Sequence, residues 1–266
     1  MFPVLYLVGF NFVKMIMRGY KFVFFLIVVS LSGCFDFNNK QKSFMDDEKF
    51  KAWRLGVAIS HNFPALVEQA YGVNYTEDWT SIMLPYGQLF NPRRYSLESM
   101  RKRSYPDYSG NELLLHPIVN LEQAQMGPRY KALPDELYIY WQVANSRVNY
   151  ATVVKITEEI KLAMTRPYVD QDVGFEGQRC YQTRFLFGLL PDGRAKLWLR
   201  GCGIYTYIGT YQPAKSVPED SGKKAENKPV PWDKVNKVWF DRKYDKMQTL
   251  ADVIKELGQE INASDQ

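Results

Sequence analysis

A chain of 266 residues with 46% hydrophobic and 15% aromatic side chains can fill a core, and its composition excludes intrinsic disorder. Its 34 basic and 29 acidic residues give a formal charge of +5, but Lys14, Arg18 and Lys21 fall within the first 33 residues, and the remainder carries only +2. That balance lacks the basic footprint of a nucleic-acid binder, so nucleic acid is not expected as a partner. The length suggests one principal domain with appendages.

The first motif in chain order is Leu31-Ser32-Gly33-Cys34. Arg18 and Lys21 supply positive charge ahead of it, and Phe22 to Val29 form an unbroken apolar run. This is the anatomy of a signal peptide, here ending in a lipobox. Residues 1–33 are therefore the expected leader, and Cys34 the expected acceptor of a thioether-linked diacylglycerol. The apolar run is too short for a transmembrane helix, which needs about 20 residues. An ordinary secretory signal with an incidental cysteine is the alternative. Phe2 to Val13 form another mostly apolar run without early charge, which points to a start at Met15 or Met17. Phe35, not aspartate, follows the cysteine. By the sorting preference known for enteric lipoproteins, this predicts an outer-membrane location facing the periplasm, with the lipid bilayer as a partner through acylated Cys34. Residues 34–51 are polar and mixed in charge, and read as a flexible tether.

Within the expected core, residues 52–215, Trp53 to Ile59, Ala65 to Val73 and Trp79 to Leu84 have the composition of strands. From Gln88 to Lys131 periodicity fails. Pro92, Pro106, Pro117 and Pro128 punctuate a stretch whose length suggests a functional loop. Leu137, Ile139, Trp141 and Val143 then alternate with Tyr138, Tyr140 and Gln142, the signature of a strand with one apolar face. A turn at Asn145-Ser146 predicts a hairpin with Tyr150 to Ile156. Thr157 is placed to cap a short helix with Glu158 and Glu159 in its first turn, Ile160 and Met164 facing the core, and Pro167 beyond its end.

A second hairpin joins Tyr181–Leu190, apolar on both faces, to Ala195–Arg200 through the turn Pro191-Asp192-Gly193. Beyond Gly201-Cys202-Gly203, Ile204–Tyr211 extends it to a meander. A register centred on the turn puts Cys180 near Ile204 and Cys202 near Gln182. A bulge at the glycines would bring the cysteines within the 4.4–6.8 Å Cα spacing, about what a disulfide needs, and export would meet an oxidising periplasm. Both a disulfide and two free thiols remain open. Residues 216–231 read as a linker. In residues 232–266, Leu250, Val253, Ile254, Leu257 and Ile261 mark a helix, with Asp245 and Gln248 spaced as a capping pair. The expected fold class is α+β: a mainly antiparallel sheet of hairpins and a meander, with a short helix and a C-terminal helix. Sandwich and barrel are both compatible.

Chemical motifs are sparse. His61 and His116 are the only histidines, and neither has a second candidate ligand nearby in sequence. No Gly-x-Ser-x-Gly elbow or phosphate-cradling glycine loop is present. Adjacent acids at Asp46-Asp47, Glu158-Glu159 and Glu219-Asp220 read as solvated charge. Neither a catalytic residue, a metal nor a small-molecule cofactor is therefore expected. The one recognition candidate is the basic, tyrosine-interleaved stretch with Arg93, Arg94, Tyr95, Arg101, Arg103 and Tyr105, because arginine and tyrosine dominate binding hot spots. The competing reading is a solvated loop.

Three segments, Leu133-Pro-Asp-Glu-Leu-Tyr-Ile-Tyr-Trp-Gln, Thr157-Glu-Glu-Ile-Lys-Leu-Ala-Met and Gly188-Leu-Leu-Pro-Asp-Gly-Arg-Ala-Lys-Leu-Trp-Leu, resemble a family of uncharacterised proteobacterial lipoproteins known mainly as a domain of unknown function. The likeness spans about Trp53 to Pro213 and identifies no catalytic residue. Members are often encoded beside type VI secretion genes, especially those of phospholipase effectors. The resemblance therefore implies a non-enzymatic immunity protein whose partner is a protein effector. An envelope structural or assembly lipoprotein is the alternative, and a lipid-acting enzyme a third.

Overall fold

A computed structural model describes residues 53–82, 88–90, 96–103, 105–115, 121–124, 132–144, 146–169, 177–219, 229–243 and 245–264, with the backbone alone for 88–90, 103, 121–124 and 260–264. The chain divides into two units, Met1–Ser43 and Phe44–Gln266, and every described residue belongs to the second. The expected leader, Cys34 and the tether lie outside the described residues.

The described chain begins with strands β1 (Arg54–Ala58), β2 (Ala65–Asn74), β3 (Trp79–Ile82) and β4 (Gln88–Phe90). Helix α1 (Leu97–Arg103), β5 (Leu113–Leu115) and β6 (Leu121–Ala124) then occupy the stretch that sequence periodicity leaves as a loop. Their apolar positions are too few, over three to seven residues, for a period to register. The first expected hairpin is β7 (Glu136–Val143) with β8 (Val148–Lys155), followed by α2 (Glu158–Thr165). After the short pair β9 (Tyr168–Val169) and β10 (Arg179–Cys180) comes the meander β11 (Arg184–Leu189), β12 (Ala195–Gly201) and β13 (Ile204–Tyr211). The chain ends with β14 (Lys215–Pro218), α3 (Trp232–Val235), β15 (Val238–Phe240), β16 (Lys246–Thr249) and α4 (Leu250–Ser264).

Two six-stranded sheets result. The first runs β16-β13-β12-β11-β1-β6, and the second β14-β8-β7-β2-β3 with β4 also on β2. Most pairs are antiparallel; β1 with β11, β13 with β16 and β5 with β15 are parallel. The fold is α+β and mainly antiparallel. One cluster holds Leu55, Phe185, Phe187, Leu197 and Leu199 of the first sheet against Val67, Leu137, Ile139, Trp141 and Val154 of the second. The sheets thus form a sandwich with a shared core. Strand alternation places these side chains on the inner faces.

The central strands of the first sheet are buried on their other face as well. Leu186, Trp198 and Tyr205 meet Leu113, Leu115 and Val235 in a second cluster, supplied by the β5–β15 ribbon and α3. This double burial explains why β11 is apolar on both faces. It also draws Val235, Val238 and Phe240 of the C-terminal segment into the core, and the expected linker opens with β14, paired to β8. Helix α4 seats Val253 in the main core, with Leu250 and Leu257 packed against it. Burying such a side chain is worth about 1.5–3 kcal/mol, whereas the Arg166–Glu256 pair at 2.7 Å that also joins α2 to α4, with its glutamate exposed, is worth about 1 kcal/mol. Burial therefore decides where α4 docks.

Two expected caps differ. Thr157 makes no side-chain bond to the backbone of α2; its hydroxyl bonds Glu159 and holds that carboxyl below the usual range. At α4 the capping box is Thr249 with Asp252, the Asp252 carboxylate accepting from the Thr249 amide at 2.9 Å and the Thr249 hydroxyl accepting from the Asp252 amide at 3.2 Å. Asp245 and Gln248 do not cap, because residues 246–249 are recruited as a strand by β13.

The meander's second turn is Cys202-Gly203, with φ of 63° and 69°. Two consecutive positive φ values match the primed hairpin turns that suit strand twist. Gly201 lies so close to the preceding segment that a Cβ there would sit 2.4 Å from the Tyr181 carbonyl oxygen. That approach brings Cys202 to Cys180, and the two form a disulfide with a Cα separation of 5.8 Å. A cross-link closing a loop of 22 residues should contribute about 3 kcal/mol. The Cys180→Ser, Cys202→Ser double variant should lose that amount in urea denaturation, and reductant should have no further effect on it; an unchanged midpoint would contradict this assignment.

Candidate protein-binding face

The recognition stretch expected from sequence divides in the structure. Arg93, Arg94 and Tyr95 lie outside the described residues. Arg101 is exposed on α1 and donates from Nε to the Tyr108 carbonyl at 2.8 Å, which ties it to its own loop. Arg103 ends α1, and its side chain is not among those described. Tyr105 is corrected: it is only 5% exposed and packs edge-on against Trp239, centroids 4.3 Å apart, in a small core with Met100, Tyr108 and Leu114. Burial pushes its hydroxyl pKa up. Tyr108 is fully buried, donates to the Glu112 carbonyl and accepts from the His61 amide. Tyr105 and Tyr108 thus anchor a loop, and they offer no contact surface.

His61 is buried, and His116 is outside the described residues. Among the described residues no three His, Cys, Asp or Glu side chains gather as a metal site, and no helix is long and apolar enough to cross a membrane. A cleft of about 430 Å³ opens beside β15, lined by Asp107, Phe240, Asp241 and Arg242 among others. It brings together charges of both signs.

The concentrated feature lies on the second sheet. Its inner face is core, and on its outer face Gln69 is exposed and Tyr71, Tyr138, Tyr140 and Val153 are half-exposed. Register aligns side chains there in rows: Ile82, Tyr71, Tyr138 and Val153 across four strands, and Gln69, Tyr140, Ala151 and Lys215 beside them. Tyr71 stacks on Tyr138 with centroids 4.7 Å apart and planes 11° apart, and lies 6.1 Å from Tyr140. Such pairs add about 0.5–1.5 kcal/mol each beyond burial. Ile82 is 38% exposed and Val217, on β14, 43% exposed.

Hydroxyls fix the rings. Those of Tyr71 and Tyr140 share a hydrogen bond at 3.3 Å. Tyr75 and Tyr138 both donate to Oε2 of Glu136, the Tyr75 bond at 2.7 Å. Burial, with the bond to Tyr140 added, raises the Tyr71 hydroxyl to about 12. The bond to Glu136 raises Tyr138, and the bonds from Tyr138 and then Tyr75 hold Glu136 below the usual carboxylate range. Asp135 is lowered chiefly by Lys161, 2.9 Å away, and by the Tyr75 amide. Tyr71, Tyr75 and Tyr138, all shifted upward, are therefore neutral, packed hydrogen-bonding groups at pH 7. Aromatic side chains held this way lose little entropy on contact with a partner. Sequence reasoning reads the alternation of Tyr138 and Tyr140 correctly but misses the site, because Tyr71 and Tyr75 join it from more than sixty residues away.

Fold and face together define an α+β sandwich with the central strands of one sheet doubly covered and the other sheet presenting an aromatic surface. The chain belongs to the family described as Protein of unknown function (DUF2931), which matches residues 38–263. No curated protein and no solved structure matches the chain.

Tyr105→Ala should cost about 3 kcal/mol of stability, as for other buried aromatics, while Arg101→Glu should change it little; the opposite ranking in chemical denaturation would return Tyr105 to the surface. Glu136 and Asp135 have folded pKa values below their unfolded ones. Their stabilisation is thus complete above the ordinary carboxylate range and disappears as pH falls through the lowered values. Glu136→Gln should flatten the fall in melting temperature between about pH 5 and pH 2, and parallel curves for the two proteins would refute the coupling.

Proposed function

We propose that the protein is a non-enzymatic lipoprotein, anchored through acylated Cys34 in the outer membrane and facing the periplasm, that binds and blocks a toxic effector. The observation that carries the binding role is the packed row of half-exposed tyrosines on the outer face of the second sheet. Tyrosine is a hot-spot residue type, and preorganised hot spots dominate protein contacts. The lipobox supports the location. The resemblance to lipoproteins encoded beside type VI secretion phospholipases supports an effector as the partner. Inhibition is steric: the face covers the effector's active-site cleft or its membrane-facing surface. A phospholipase works at the bilayer, and a tethered inhibitor of such an enzyme is already concentrated there.

Deleting the gene in a strain that carries the neighbouring effector should make it sensitive to its siblings, and a plasmid copy should restore resistance. Cys34→Ser should lose membrane fractionation and protection together. Full resistance of the deletion strain would refute the immunity role and favour an envelope-assembly role, tested by capture of an outer-membrane component.

A further inference from the structure

The end of the tyrosine face at the β2–β3 hairpin is its most acidic part. Glu77, Asp78, Asp135, Glu136 and Glu158 gather around this end, against Lys155 and Lys161. Lys161 is already divided between Asp135 at 2.9 Å and Glu158 at 3.0 Å. Among the described residues no cation forms an ion pair with Glu136; its charge is met by the hydroxyls of Tyr75 and Tyr138 on one oxygen, and Lys155, its cross-strand partner, acts on it only from beyond ion-pair distance. Tyr75 is 63% exposed. The result is an ionised carboxylate framed by phenol rings at the surface.

Such a frame selects its occupant. A lysine ammonium would answer the charge alone. A guanidinium offers a planar fork of donors that matches a carboxylate bidentately and also lies against aromatic rings. We infer that this end of the face receives an arginine from a basic surface of the bound protein, with Glu136 as its acceptor and Tyr75 and Tyr138 as the walls of the site. The inference rests on the tyrosine face being the binding surface proposed above and adds the charge and side-chain type of the partner.

The test uses the full chain purified in detergent, titrated calorimetrically at constant ionic strength with hexa-arginine and hexalysine peptides. Hexa-arginine should bind at least tenfold more tightly than hexalysine. Glu136→Gln, a near-isosteric change, should abolish that preference, and Glu68→Gln, at an exposed position outside the tyrosine frame, should preserve it. Tyr75→Phe, at an exposed position where folding is not at stake, should weaken hexa-arginine at least threefold. Equal binding of the two peptides, or a preference untouched by Glu136→Gln, overturns the inference. Parallel measurements with the cognate effector separate it from the broader reading. If Tyr140→Ser weakens the effector and Glu136→Gln does not, the face stands and the arginine site falls; if neither variant matters, both fall.

Discussion

The central strands of the first sheet have no solvent face, and the rest of the architecture follows from that constraint. Its β11 strand sends Phe185 and Phe187 toward one layer and Leu186 toward another. A strand apolar on both sides must be covered on both sides, since each large side chain left in water would forfeit about 1.5–3 kcal/mol. The second sheet supplies one cover. The other is assembled from pieces far apart in sequence: β5, α3 and β15. The parallel pairing of β5 with β15 joins residues 113–115 to residues 238–240, and through it the C-terminal part becomes a structural layer of the fold.

The second sheet is built on the opposite principle. Its strands alternate cleanly, with Leu137, Ile139 and Trp141 inward and Tyr138 and Tyr140 outward. One-sided antiparallel sheets ordinarily present charged and small polar groups to water. Here the outward positions hold tyrosines that stack on one another and exchange hydroxyl bonds. Tyr71 and Tyr140 are held by each other and by stacking, and Tyr75 and Tyr138 by a shared carboxylate. The face is therefore ordered without being buried, the physical condition for contact at low entropic cost.

The disulfide belongs to the same division of labour. It ties the segment leading into β11 to the turn between β12 and β13, at the end of the sheet where the buried Gln182 bonds the Ile204 carbonyl and the Thr206 hydroxyl. Covalent and polar links thus close the end of the central meander, where apolar packing gives way to polar contacts. Glycine at position 201 permits this closeness, because any side chain there would strike the Tyr181 backbone.

Sequence alone was sufficient for the features governed by near neighbours. The β7–β8 hairpin, the meander with its Pro191-Asp192-Gly193 turn, helix α2 and the C-terminal helix are all legible, because alternation, helical spacing and turn chemistry act over a few residues. The α+β class follows from them. What joins distant segments was not legible. The parallel pairings of β1 with β11 and β13 with β16 depend on which edges collapse together, and the second of these drew Gln248, half of the expected capping pair, into a strand. Tyr105 carries the composition of a contact residue but is drawn inside by Trp239, more than a hundred positions away. The tyrosine face is likewise half visible, since periodicity places Tyr138 and Tyr140 on one side of a strand but only tertiary pairing brings Tyr71 and Tyr75 beside them. Local free energies are written in the order of residues; the burial that decides layers, edges and surfaces exists only once remote segments have met.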